Sequence, residues 1–205
     1  MATTTFNGPV RSEKGFQQIS KSANGTSTVT SGDKMATEAT ASAGIDGTAA
    51  VYVTQVNRLK SDVATNVNIV KTTIMIDLTG LKDGGTAGDI IGKDGSGVAF
   101  IGKVTTANQG TVFGVTMTCL ETPAGGSTDI DLFSATEGTG VNDTAIGDLT
   151  ETQIINAGAA SAGTVVAGGD IAADQFLYLV SQGTGDATYT AGRFLIEITG
   201  FDAAS

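Results

Sequence analysis

The sequence predicts an all-β protein: a β-sandwich or jelly-roll-like body with an extended N-terminal arm and at most one short helix. Three observations lead there. Several runs alternate apolar and polar residues with period two, the mark of strands with one buried face. Turn-rich stretches separate these runs at spacings of roughly 10–20 residues, as in sandwiches rather than alternating α/β folds. The composition, with 29 Gly among 205 residues and aromatics at only 5%, favours strands and turns built around small aliphatic side chains.

Residues 1–48 form the predicted arm and a low-complexity segment; residues 49–205 form the body. Within Ala2–Gln18 the apolar residues Phe6, Val10 and Phe16 are scattered, and Gly8-Pro9 breaks any regular element. Ser20–Thr48 is mostly Ser, Thr, Ala and Gly, too polar for a core of its own, so loop or short edge strands are expected. Strand character begins at Ala50–Val56. A short helix containing Leu59, Val63 and Val67, spaced four apart, is a weaker alternative for the stretch that follows. The longest alternation comes next, with Val70, Thr72, Ile74, Ile76 and Leu78 on one side and Lys71, Thr73, Met75 and Asp77 on the other.

Gly80–Gly97 reads as a turn region, followed by a strand at Val98–Ile101. Thr111–Leu120 is a strand predicted to turn Phe113, Val115, Met117 and Cys119 to one face and Thr116 and Thr118 to the other. Pro123–Gly126 leads into a strand at Thr128–Phe133, and Glu137–Gly147 is a loop. The single helix is expected after Asp148, because Thr150 and Gln153 have capping-box spacing and Ile154 and Ile155 would anchor it. Asp174–Ser181 is apolar on both faces, as in a strand covered on both sides. Gly192–Phe201 alternates. With Gly183–Asp186 between them, the two are expected to close the chain as an antiparallel hairpin.

The chemistry is sparse. The chain has no histidine, which removes Ser-His-Asp and Cys-His activation and His-ligated zinc. The one cysteine, Cys119, reads as a buried core thiol rather than a nucleophile, and a disulfide within the chain is excluded. No phosphate-binding or dinucleotide fingerprint lies between a strand and a helix. Asp83, Asp89 and Asp94 in the Gly-rich stretch, or Asp129 and Asp131 two apart, are weak candidates for calcium. Neither set matches the spacing of an EF-hand loop, so solvated surface is the favoured reading. Tyr52, Tyr178 and Tyr189 belong to the core or its rim. No cofactor or metal is expected.

Charge is uneven: residues 1–71 carry net +2 and the remainder net −12, together the −10 of the whole chain. An acidic body disfavours nucleic acid, whereas a mildly basic front end suits an acidic partner. No apolar run approaches the roughly 20 residues of a membrane helix. The opening residues have no secretory pattern. Synthesis in a cytoplasm is therefore expected, and no membrane partner.

The opening Ala2-Thr3-Thr4-Thr5-Phe6-Asn7-Gly8-Pro9-Val10-Arg11-Ser12-Glu13-Lys14-Gly15-Phe16 and the closing Tyr189-Thr190-Ala191-Gly192-Arg193-Phe194-Leu195-Ile196-Glu197 resemble those of virion structural proteins from tailed bacteriophages, especially phages of marine bacteria and cyanobacteria. The resemblance implies assembly in an infected bacterial cytoplasm, many copies per virion and no catalysis. Short acidic β proteins of this kind resemble head decoration, or cement, proteins, which bind the major capsid protein on the outer capsid surface, commonly as homotrimers. Phe6, Val10, Arg11 and Phe16 are the expected partner-binding residues, adding strand pairing or filling grooves. The alternative is a tail- or fibre-associated β module that recognises host-surface glycan through the loops at Lys82–Gly97 and Glu137–Asp148.

Overall fold

The computed structural model describes residues 18–21, 27–30, 42, 44, 45, 49–59, 67–95 and 97–203. The chain divides into two units, Met1–Met35 and Ala36–Ser205. The first contains β1 (Gln18–Lys21) and β2 (Ser27–Thr30), an antiparallel pair with Gln18 opposite Thr30 and Lys21 opposite Ser27.

The second unit is mainly β. Its strands run, in chain order, β3 (Ala49–Leu59), β4 (Val67–Asp77), β5 (Asp89–Ile90) and β6 (Gly102–Lys103). After a four-residue helix, α1 (Thr106–Gln109), come β7 (Thr111–Ala124), β8 (Ile130–Ala135) and β9 (Glu151–Ile155). The last are β10 (Val165–Gly168), β11 (Phe176–Ser181) and β12 (Ala191–Ala203). They form two antiparallel sheets. A long sheet has the order β10-β7-β12-β4-β3; a short one has β5-β11-β8-β9, with β6 also pairing to β11.

The long sheet is built on the alternation of β4 and β12, which pair without interruption from Arg193 opposite Asp77 to Ala203 opposite Val67. Ile74, Ile76, Phe194, Ile196 and Ile198 face the core with Met117 and Cys119 of β7. The short sheet supplies Leu132, Ile155, Leu177 and Leu179 to the same core, and a side chain on Gly168 at the edge of the long sheet would strike Ile155. Its other face is covered as well. Tyr178 donates a hydrogen bond to the Glu137 carbonyl (2.8 Å) and accepts one from the Gly140 amide (3.3 Å). Gly140 lies so close to Ile90, Tyr178 and Leu149 that a Cβ there would sit 2.5 Å from Ile90 Cδ1. Nearer the N-terminal end of this unit, Ile45 is fully buried and Gly44 bonds to Val98.

Four expectations are corrected. The predicted terminal hairpin does not form: β11 lies in the short sheet and β12 in the long one, and the intervening residues cross between sheets. Tyr189, fully buried in that crossing, anchors it by donating to the Ser127 carbonyl (3.1 Å). The predicted helix after Asp148 is strand β9, paired to β8, after a 3₁₀ turn at Ile146–Asp148. Thr150 does not cap; its amide and hydroxyl both go to the Glu137 carboxylate (2.9 and 2.8 Å). Five β-branched or polar residues beside an available sheet edge gain more from the ladder than from a single helical turn. The α-helix lies instead at Thr106–Gln109, where Thr105 accepts from the Asn108 amide (3.2 Å) and Gln109 from the Thr105 amide (2.8 Å).

The third correction concerns Phe113, predicted inward but 54% exposed, while Val112 is buried. Thr199 pairs with Gly114 and Gly200 with Val112. Phe113 is therefore the extra residue of a β-bulge, which reverses the inside and outside of the strand. Last, the strand expected at Val98–Ile101 is displaced: the ladder pairing to β11 falls at Gly102–Lys103, although Ala99 and Ile101 are buried.

Candidate functional site

The sequence-predicted contact residues Phe6, Val10, Arg11 and Phe16 lie outside the described residues. So does the side chain of Tyr52, whereas Tyr178 and Tyr189 are core residues. Burial raises the proton affinity of both phenols.

The acidic candidates are not a solvated set, contrary to expectation. Asp83, Asp89 and Asp131 are buried, because each carboxylate satisfies backbone amides that no neighbouring strand reaches. Asp83 accepts from the amides of Ala187 (2.7 Å) and Ser127 (2.8 Å), tying three separate connections together. Asp89 accepts from the Thr86 amide (2.7 Å). Asp131 accepts from the Ala157 amide and the Gln153 side chain, both at 2.8 Å. Asp94 remains exposed, paired with Lys82, which also meets Asp186. Asp129 is the exception among them. Its Oδ1 is buried without a hydrogen-bond partner, and burial, with the Asp131 charge adding to it, pushes this carboxyl above its ordinary value. Among the described residues, no group of three or more His, Cys, Asp or Glu side chains is placed to hold a metal ion.

Cys119 is buried on the core face of β7, as its neighbours predict, and donates to the Glu121 carbonyl (3.2 Å). Burial pushes its thiol up, away from the reactive thiolate. The loops at Lys82–Gly97 and Glu137–Asp148 do come together. Asn142 donates its side-chain amide to the carbonyls of Lys82 (3.2 Å) and Ile90 (3.1 Å), and Asp143 accepts from the Gly85 amide (3.0 Å). These loops direct Ile90, Ile91 and Ile146 inward, and neither contains an aromatic residue.

What stands open is the outer face of the long sheet. Among the described residues, the large apolar side chains that are well exposed are Met75 (38%), Phe113 (54%), Leu120 (44%) and Val165 (62%). All four are on this face. Register aligns a row across four strands: Val165 opposite Thr118, Thr118 opposite Leu195, Leu195 opposite Met75. Leu120 sits beside the row at a second register shift, next to Arg193. Beyond it, the Phe113 and Phe201 rings meet in a tilted pair, 6.2 Å between centroids.

The charges on this face are paired. Lys71 meets Glu197, and Arg193 Nε lies 3.0 Å from Asp77 and 3.6 Å from Glu121. Hydrogen bonds from Thr79, helped by Arg193, hold the Asp77 carboxyl below its ordinary value, and Asp77 in turn raises Arg193. In the sequence Lys71 and Asp77, and likewise Glu197, stand only as the second side of an alternating strand. The signal lay in the apolar exceptions, Met75, Leu120 and Leu195, but joining them required the register. The arrangement offers contact area and no reactive group. No known protein family, curated protein or solved structure matches the chain.

Proposed function

We propose that this chain is a non-enzymatic structural protein of a phage virion, a decoration or cement protein that binds the outer capsid surface and stabilises the head. The observation that carries the reading is the segregation of the surface: among the described residues the well-exposed large apolar side chains share one sheet face, and the buried Asp83, Asp89 and Asp131 are all occupied in holding connections. A body so arranged is suited to being packed against other proteins. The resemblance of both chain ends to tailed-phage virion proteins supplies the kind of particle.

On this reading the partner is the major capsid protein, contacted through Phe6, Val10, Arg11 and Phe16, with further copies of the same chain beside it. Binding only the assembled shell stabilises that shell by mass action, and repetition by symmetry gives avidity from weak contacts. A body of net negative charge is a poor ligand for nucleic acid. The test is to image particles carrying the full chain with Phe6, Val10, Arg11 and Phe16 all changed to Ala. Loss of head density with the body still folded supports the reading, whereas unchanged attachment refutes the arm contacts. Density confined to the tail in the unaltered particle favours the glycan-binding alternative, against which the lack of aromatic residues in both candidate loops already weighs.

A further inference from the structure

One dipeptide occurs in two opposite settings. Asp-Gly stands at 83–84 and again at 94–95, and glycine, having no Cβ, shields its own amide nitrogen least of all residues. A further copy, Asp46-Gly47, lies outside the described residues. We propose that Asp94 is a modification site at which the chain converts aspartate to isoaspartate without an enzyme, while the fold protects Asp83. In the first step the Gly95 nitrogen bonds to the side-chain carboxyl carbon of Asp94, and the amide proton leaves with the carboxyl OH as water. Water then adds to the resulting five-membered imide. Opening on one side restores aspartate; opening on the other leaves the main chain running through the side-chain carbon, with no net change in mass and no oxidation or reduction.

The two sites differ in what holds the carboxylate. Asp83 is buried, with Oδ1 accepting from the Ala187 amide (2.7 Å) and Oδ2 from the Ser127 amide (2.8 Å). Turning its carboxyl carbon onto the Gly84 nitrogen would break both bonds. The Gly84 backbone is packed as well, since a Cβ there would lie 2.5 Å from Asp89 Cβ. Asp94 and Gly95 are exposed, with open space beside Gly95, and among the described residues no acceptor takes the Gly95 amide. The Asp94 carboxylate pairs with Lys82 Nζ at 3.3 Å, but Lys82 has a nearer partner in Asp186 at 3.0 Å. An exposed pair of this kind holds a side chain weakly.

The modification has a structural consequence. The turn at Asp94 closes across Gly44, whose carbonyl accepts from the Lys93 amide (2.7 Å) and whose amide donates to the Val98 carbonyl (2.8 Å). Isoaspartate inserts a methylene into the main chain between those two bonds, so the closure on Gly44 loosens.

The test ages the full chain in warm buffer, folded and, in parallel, unfolded in urea. Samples are then denatured and cut with an endoprotease that cleaves before aspartate but not before isoaspartate, and the fragments are read by mass spectrometry. In the folded chain the Lys93–Asp94 bond should become resistant at least about tenfold faster than Lys82–Asp83, because the buried site reacts only after local opening; in urea the two rates should become similar. Ageing should also quicken hydrogen exchange at the Gly44 and Lys93 amides of the wild-type chain and not of Asp94→Glu, whose longer side chain closes the corresponding six-membered ring far more slowly. Equal rates at the two bonds in the folded chain would overturn the inference. So would a folded chain that stays cleavable before Asp94 while the urea sample does not, or exchange that quickens equally in Asp94→Glu.

Discussion

The long sheet gives one face to the core and the other to solvent, whereas the central strands of the short sheet, β8 and β11, are covered on both. Their residues reflect the difference. β4 and β12 alternate aliphatic with charged or hydroxyl side chains, and their ions pair at the surface. β8 and β11 are buried almost throughout, so a carboxylate within them, Asp131, must find its donors inside the protein. Covering a second face removes more apolar surface from water but requires each polar group beneath the cover to be satisfied. The contrast teaches that charge on the long sheet is nearly free to vary, while charge under the short sheet is structural.

The widest separation between the two is expected from truncations. Leu179→Ala, in the middle of the short sheet, should cost about 2–5 kcal/mol as cavity and lost burial combine, while Met75→Ala on the open face should stay within about 0.5 kcal/mol. Urea midpoints of the two variants measure this, and equal losses would break the comparison. A smaller gap separates the charges. Asp131→Ala should lose about 1–3 kcal/mol, because it leaves the Ala157 amide without its acceptor and removes a buried side chain; Lys71→Ala, breaking only a surface pair, should lose about 1 kcal/mol at most.

The remaining effect has the opposite sign. Asp129 has a buried oxygen without a partner and a carboxyl raised by burial and by Asp131. A folded-state value above the unfolded one means that this group favours folding while protonated, below its ordinary range, and that the benefit disappears as pH rises through the folded value. Asp129→Asn should therefore stabilise at neutral pH by about 1 kcal/mol, and the gain should shrink to nothing in acid. Thermal midpoints of the pair across pH sharpen the point; a loss of stability at neutral pH would contradict it.

These contrasts also explain what could be read from the chain alone. The all-β class, β3, β4 and β12, and the inward Met117 and Cys119 follow from period-two alternation, a local signal. Phe113 was misplaced because a bulge set by Thr199 and Gly200 on the next strand reverses the phase. β9 looked like a helix start because the partner that claims Thr150, Glu137, lies 13 residues earlier. The glycines after Ser181 suggested a tight hairpin, but Tyr189 draws that segment across to the other sheet. Asp83 looked like a surface acid since the amide of Ala187 that it holds is 104 residues away. The row on the open face, Val165, Thr118, Leu195 and Met75, takes one residue from each of four strands, so only the register assembles it.

The most direct test compares two methionines of identical chemistry. Met75 lies on the open face, and Met117 points into the core between the sheets. Brief hydroxyl-radical labelling of the dilute full chain, read by mass spectrometry, should oxidise Met75 readily, with Phe113 also modified, and leave Met117, Tyr178 and Tyr189 protected. Equal oxidation of Met75 and Met117, or labelling of Tyr178 as fast as Phe113, would contradict a molecule sealed over the central strands of its short sheet and open over its long one.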